Sequence, residues 1–80
     1  MYVKGMYMEI LETMGNRLRE LRKEKKMRQE DMAALMEITV NHYQKVEYGK
    51  INLPVLTLCG LADYFGVTTD YLLGRSDERG

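Results

Sequence analysis

The chain has 80 residues, 45% of them hydrophobic and 30% charged, and 12 basic residues balance 12 acidic ones to a formal net charge of zero. This size and composition predict one small globular domain and exclude a catalytic domain beside a regulatory one. No apolar run approaches the ~18 residues of a membrane helix, and the first residues lack the pattern of a secretory signal. We therefore expect a cytoplasmic protein without membrane contact.

Residues suited to catalysis or metal binding are sparse. The single cysteine, Cys59, lies in the apolar run "LTLCGLADYF", which predicts a buried and unreactive side chain. The single histidine, His42, falls on another predicted helix, so the two residues do not form a zinc-ligand set. The sequence shows neither a carboxylate cluster nor a phosphate-binding glycine loop. We expect no enzyme activity, no metal, no cofactor and no small-molecule ligand.

The first predicted helix lies in "LETMGNRLRELRKEKK" and ends near Lys26. Its apolar residues recur at spacings of three and four and form one stripe, which consists of Leu11, Met14, Leu18 and Leu21. Residues 14–28 hold seven basic and two acidic residues, an excess of five, while the rest of the chain is acidic. A protein with one face toward phosphate shows this asymmetry, but a solvated helix with i,i+4 ion pairs explains it equally well.

The second predicted helix lies in "RQEDMAALM". Glu30 and Asp31 occupy its first turn, where the positive end of the helix dipole favours acidic side chains. Met32, Leu35 and Met36 share one side of this helix, and we expect all three to face the core.

The third predicted helix lies within "ITVNHYQKVEYGK". Thr39 is expected to cap its start because its hydroxyl can accept a backbone N–H, and Gly49 is expected to end it because glycine tolerates a left-handed backbone. At ~100° per residue, two opposite faces result. The inward face carries Tyr43, Val46 and Glu47, and the outward face carries Asn41, Lys45 and Tyr48. Burial does not require the outward amide, ammonium and phenol groups, which indicates a binding surface.

The fourth predicted helix lies in "KINLPVLTLCGLADYFG", with Asn52 or Leu53 as cap, Pro54 in the first turn and Gly66 as the end. The residues expected to face the core are Val55, Leu58, Cys59, Ala62 and Phe65. A fifth helix in "VTTDYLLG" is expected to start after Thr68, to turn Leu72 inward and to end at Gly74. No strand pattern occurs between residues 14 and 74, so the predicted class is all-α with five helices.

The second and third helices, joined by a turn of about three residues, make a helix-turn-helix arrangement. From Met14 to Leu73 the chain resembles the Cro/repressor-like (XRE-type) helix-turn-helix DNA-binding family. The resemblance lies in three blocks in order, "RLRELRKEKKMRQEDMA", "ITVNHYQKVEYGK" and "LADYFGVTTDYLLG". It implies a five-helix lambda-repressor-like domain at residues 14–74, between an N-terminal extension at 1–13 and a C-terminal tail at 75–80.

The resemblance implies sequence-specific binding of double-stranded DNA by a repressor-like transcriptional regulator, with the helix Thr39 to Tyr48 in the major groove. Gln29 matches the glutamine that meets a phosphate at the start of the family's second helix. The recognition-helix positions of the family are matched by Thr39, Val40, Asn41 and Lys45. Physically, Asn41 can pair with adenine, Lys45 can donate to guanine, and Val40 can lie against a thymine methyl group.

Further residues at the edge of this surface are expected to contact phosphates. Arg28, Lys26 and Lys50 border the motif and carry positive charge. His42 flanks the same surface and can donate to a phosphate when it is protonated, although a solvated histidine is an equal alternative.

Three structural features follow from the same comparison with the family. Arg22 and Glu47 match a pair that forms a partly buried salt bridge between the first and third helices. Glu37 stands where the family has glycine, which predicts either a left-handed residue at a cost of roughly 1–2 kcal/mol or a different turn. Arg28 replaces the usual serine or threonine cap of the second helix.

A homodimer is expected, because one recognition helix covers too few base pairs to specify a genomic site. The expected interface is either the Met- and Tyr-rich segment 1–13 or the fourth and fifth helices. Segment 1–13 is a backward extension of the first helix, a dimerisation arm or a frayed tail. The alternative function is a protein-binding helix-turn-helix module, such as an antitoxin or adaptor component, whose binding would lack the steep salt dependence of phosphate contacts.

Overall fold

The computed structural model describes the backbone of residues 4–80 and the side chains from residue 7 onward, and its described residues form five α-helices and no strand. The helices are α1 (Lys4–Glu24), α2 (Gln29–Met36), α3 (Val40–Glu47), α4 (Val55–Phe65) and α5 (Thr69–Leu73). The predicted all-α class with five helices is confirmed. Residues 4–13 form the first turns of α1, and residues 1–3 lie outside the described part.

One core joins the five helices. Helix α1 packs against α3 and α5, α2 packs against α3, and α4 packs against α5. The fully buried large side chains at its centre are Met14, Leu18, Met32, Tyr43, Val46 and Leu72. The predicted apolar stripe of α1 faces this core, because Met14, Leu18 and Leu21 are buried and Leu11 packs against them.

Side-chain caps begin α3 and α5 where the sequence predicts them. The hydroxyl of Thr39 accepts the backbone N–H of His42 at 3.1 Å, and that of Thr68 accepts the backbone N–H of Tyr71 at 3.0 Å. Helix α2 lacks such a cap, because Arg28 has no acceptor to offer. Instead, the carboxylate of Asp31 accepts the backbone N–H of Arg28 at 2.8 Å, which is one half of a capping box.

Three predicted core positions are wrong. Leu35 on α2 is 43% exposed, and on α4 both Val55 and Cys59 face solvent. Helix α4 buries Leu61 and Ala62 instead. The cause lies in composition: α4 is apolar on nearly every side, so its hydrophobic periodicity does not distinguish the core-facing side. Pro54 also precedes the first residue of α4 rather than lying within its first turn.

The C-terminal residues 75–80 fold back onto α1. The guanidinium of Arg79 donates to both carboxylate oxygens of Glu24, at 2.8 and 2.6 Å. Arg17 donates to the carboxylate of Asp77 at 2.9 Å. These contacts place the predicted tail beside the first helix.

The turn after α2 contains Glu37 in the left-handed region, with φ 56° and ψ 43°, which is the first of the two predicted geometries. A side chain there is strained, so Glu37→Gly is expected to stabilise the fold by about 0.5–1 kcal/mol. Chemical denaturation measures this change. The matched control is Ala34→Gly at an exposed position inside α2, which should lose about 1 kcal/mol. Equal losses in the two variants would contradict a left-handed Glu37.

Candidate nucleic-acid interface

Helices α2 and α3 are joined by a three-residue turn, residues 37–39, and pack against each other. The left-handed Glu37 ends α2, and the cap at Thr39 starts α3 immediately afterwards. This local chemistry produces a helix-turn-helix. Its second helix packs on the core through Tyr43 and Val46, whose side chains are both fully buried.

The predicted contact residues lie on or beside the outer surface of this motif. Those with exposed side chains are Arg28, Thr39, Asn41, His42, Lys45 and Lys50. Gln29 and Val40 are half-buried, and Val40 packs against the core, so only part of its side chain is open to a ligand. The outward position of Tyr48 also agrees with the helical arrangement, because its side chain is exposed.

The inner face of α3 carries a buried ion pair. Nε of Arg22 donates to one carboxylate oxygen of Glu47 at 2.7 Å, and Nη2 of Arg22 donates to the other carboxylate oxygen at 3.2 Å. The third guanidinium nitrogen, Nη1, donates to the backbone oxygen of Met27 at 2.9 Å. The pair therefore connects α1, the segment before α2 and the end of α3.

Two further groups donate to the carboxylate of Glu47. The hydroxyl of Tyr43 donates to one oxygen, and Nε2 of Gln29 donates to the other at 3.3 Å. Burial alone raises the pKa of Glu47, but the hydrogen bonds from Arg22, Tyr43 and Gln29 outweigh it and hold that pKa below its ordinary value. Burial and the same carboxylate raise the pKa of Tyr43 far above its usual range. Glu47 is thus charged and fully hydrogen-bonded at neutral pH.

Gln29 belongs to this inner network, a position that sequence reasoning did not predict. Its side-chain oxygen accepts a hydrogen bond from Nε2 of Gln44 at 3.1 Å, and its own Nε2 donates a hydrogen bond to Glu47. Both ends of the Gln29 amide are therefore used within the protein. A phosphate at the start of α2 would therefore meet the backbone N–H groups of the helix rather than the Gln29 amide. Gln44 also belongs to the network, although the sequence pattern did not single it out.

The basic side chains around the motif differ in how much of their charge is free to meet a ligand. Arg28 pairs with Asp31 at 3.3 Å and with Glu30 at 3.6 Å, which leaves less of its charge for a phosphate. Lys45 and Lys50 are exposed and have no ion-pair partner among the described residues. Lys26, before α2, is likewise exposed and outside the ion pairs of the described residues, so three lysines around the motif keep their charge available to a ligand.

Comparison with known proteins supports the assignment that this geometry suggests. The family model described as Helix-turn-helix matches residues 18–72, which is more than half of the chain. The chain therefore belongs to the helix-turn-helix family of the Cro/repressor (XRE) type. No solved structure matches the chain significantly.

Two relatives share about two fifths of their aligned residues with this chain. The HTH-type transcriptional regulator DdrOP3 of Deinococcus deserti is 40% identical over 57 residues, which cover 71% of this chain and 44% of the relative. The SPbeta prophage-derived uncharacterized HTH-type transcriptional regulator YonR of Bacillus subtilis is 41% identical over 59 residues. These residues cover 74% of this chain and 55% of the relative. The chain thus spans about half the length of the curated relatives it matches.

No helix in the described part of the chain is long and apolar enough to cross a membrane.

Proposed function

We propose that the chain is a sequence-specific, double-stranded DNA-binding transcriptional regulator that places α3 in the major groove. The observation that carries the proposal is the division of α3 into two faces. Its inner face is held by the buried pair of Arg22 and Glu47, while its outer face presents Asn41 and Lys45 to solvent. An exposed amide and an exposed ammonium are groups that distinguish base edges in the major groove.

The remaining predicted contacts fit distinct roles in this proposal. Thr39 and His42 flank the groove-facing row, Val40 offers part of an apolar surface to a thymine methyl group, and Lys50 supplies a phosphate contact. Gln29 and Arg28 lie at the start of α2, where backbone N–H groups favour a phosphate. In this proposal the protein is a cytoplasmic homodimer without catalytic activity. The names of its relatives, which are those of transcriptional regulators, support the regulatory role.

The test is selection of bound sequences from random duplex DNA, followed by affinity measurements on the selected site. We expect the double variant Asn41→Ala with Lys45→Ala to lose sequence preference while it keeps its fold, because neither side chain contributes to the core. Each lost base contact should cost about 1–3 kcal/mol of binding free energy, so the two losses together should lower the specific affinity at least tenfold. Circular dichroism and thermal melting check that the variant folds.

The matched control is Asn16→Ala with Lys23→Ala, which removes the same groups from exposed positions on α1. This control should keep sequence preference. Full specific affinity in the Asn41 and Lys45 variant would show that the outer face of α3 is not the recognition surface. Affinity that is insensitive to salt between about 50 and 200 mM would favour a protein-binding module over DNA binding.

A further inference from the structure

A groove of about 370 Å³ lies between α2 and α4, and none of its lining residues is among the proposed DNA contacts. Its apolar part includes the buried Leu61 and two side chains that are each 43% exposed, Leu35 and Tyr64. Large hydrophobic side chains that border a recess and remain open to solvent mark an interaction site. The volume is near the lower end of the ~300–1,000 Å³ of binding clefts, so the groove takes a few side chains rather than a whole domain.

Gly60 allows a partner to approach the α4 side of this groove closely. A Cβ atom built at Gly60 would meet no heavy atom within 4 Å, so no other described residue covers this turn of the helix. Leu56 precedes Gly60 by about one turn on the same side of α4 and is 85% exposed. A bare turn beside a protruding leucine fits a partner with a regular backbone and one apolar side, which is the shape of an amphipathic helix.

Glu37 places a negative charge at one end of the groove. Its side chain is exposed and makes no ion pair with the described residues. Its backbone lies in the left-handed region at φ 56°, a conformation that glycine adopts without strain. Since the carboxylate makes no contact within the chain that would offset this strain, the residue fits a role in binding. A cationic group on the partner is the charge that complements it.

The opposite charge lies at the other end of the groove. Lys25 precedes α2, and its ammonium group lies 5.0 Å from the centre of the Tyr64 ring. The eight residues of α2 separate Lys25 from Glu37, which corresponds to about 12 Å. A helix that complements both charges carries a basic and an acidic side chain about two turns apart.

The rim of the groove is acidic on balance. Asp63 is exposed about one turn after Gly60 on the outer edge of α4, and it also makes no ion pair within the described part of the chain. Two free carboxylates and one ammonium group therefore surround the apolar lining. This balance disfavours a polyanion such as DNA or an anionic membrane and favours a partner with more basic than acidic groups.

We propose that the groove between α2 and α4 binds an amphipathic helix of a partner protein, whose apolar side chains enter between Leu35 and Tyr64. A basic side chain of that helix pairs with Glu37, and an acidic one two turns away lies near Lys25. A helix in a groove is a common mode of peptide recognition, whereas the residues that the structure describes form no strand to which an extended peptide could add. The inference does not rest on DNA binding.

The probe is a synthetic alanine-based helical peptide with an arginine, two leucines one turn later and a glutamate two turns after the arginine, all on one side. We expect the full chain to bind it with a micromolar dissociation constant, because a small interface is weak. In an NMR titration, the backbone N–H resonances that shift should be those of residues 35–37 and 57–64. Replacing both leucines of the peptide with alanine should weaken binding at least tenfold.

A charge exchange across the groove tests the pairing at Glu37. Glu37→Lys should bind the original peptide about fivefold more weakly than the wild type does, and should bind a peptide with glutamate in place of the arginine about fivefold more tightly. Lysine and glutamate are equally strained in the left-handed conformation, so the fold should persist, which circular dichroism checks. The matched control is Glu20→Lys, the same reversal at an exposed position on α1, which should leave both affinities unchanged.

Gly60→Leu tests the close approach to α4, because the added side chain fills the opening in an exposed turn. It should weaken peptide binding at least tenfold. Its affinity for a selected DNA site should stay unchanged, because Gly60 does not lie on α3. Absence of DNA binding in every variant and in the wild type would count against the proposed function and not against the groove.

Four results would overturn the inference. The first is no resonance shift in the wild type at peptide concentrations up to about 1 mM. The second is wild-type affinity in Gly60→Leu, and the third is an equal effect of Glu37→Lys and Glu20→Lys. The fourth is a shift of the same resonances with chain concentration in the absence of peptide, which would show that the groove takes a second copy of the chain instead.

Discussion

Glu47→Ala is expected to lower the free energy of unfolding by about 3–5 kcal/mol, a large part of the ~5–15 kcal/mol of an ordinary domain. The side chain of Glu47 is only 1% exposed, and its removal would leave the buried guanidinium of Arg22 without a counter-ion. It would also remove the acceptor of the Tyr43 hydroxyl and of the Gln29 amide. Thermal and urea unfolding measure the loss.

Glu20→Ala is the control, because it removes a glutamate from an exposed position that makes no ion pair in the described structure. Its stability should change by no more than about 0.5 kcal/mol. A melting temperature of Glu47→Ala equal to that of Glu20→Ala would contradict a stabilising role for the buried pair.

The same carboxylate predicts a pH dependence. Since the pKa of Glu47 is lower in the folded chain than in the unfolded chain, its contribution is present above its ordinary pKa of about 4.3 and is lost as pH falls through the folded value. The loss of stability on acidification should therefore be steeper in the wild type than in Glu47→Gln, which lacks the titrating group. Glu24 and Asp31 also have lowered pKa values, so the difference between the two proteins isolates the part due to Glu47.

Gly15→Ala is the second change with a large expected effect, and its sign is opposite to that predicted by helix propensity. Gly15 lies within α1 where the helix crosses the end of α3, and an added Cβ would lie 2.6 Å from the carbonyl oxygen of Val46 and closer still to that of Glu47. Both obstacles are backbone atoms, so the two helices would have to separate. We expect a loss of about 3 kcal/mol despite a gain of ~1 kcal/mol in helix propensity.

Gly60→Ala supplies the matched control, because Gly60 also lies inside a helix but an added Cβ meets nothing within 4 Å. This variant should gain about 0.5–1 kcal/mol when the unfolding of dilute, monomeric protein is measured. If Gly15→Ala also gained stability, the close crossing of α1 and α3 would be refuted.

The sequence was informative where one residue type leaves few local alternatives. Thr39 caps α3 as predicted, because a side-chain cap depends on chemistry within a single turn. The left-handed Glu37 was one of two geometries left open by the family resemblance, and the structure decides between them. The core-facing side of α4 was not predictable, since an apolar residue such as Val55 satisfies either orientation of a helix that is apolar all round. The close approach at Gly15 depends on the crossing of two helices distant in sequence, which no local pattern records.

The inner network of the interface was partly predictable for a similar reason. The pairing of Arg22 with Glu47 followed from the family resemblance. The hydrogen bonds of Gln29 to Glu47 and Gln44 required knowledge of how α2 lies against α3. The assignment of individual side chains to bases and phosphates remains a prediction, because it depends on the position of DNA as well as on that of the protein.

The two-faced construction of α3 has a consequence for how such a protein can acquire a new target. Because Glu47 and its donors hold the helix from the inside, the groups at Asn41 and Lys45 are exchangeable without disturbing what orients them. Mutations in the outer row therefore alter preference for DNA at little cost in folding, whereas mutations in the inner network affect every target equally. A library randomised at those two outer positions would retain the scaffold and vary only the sequence that it selects.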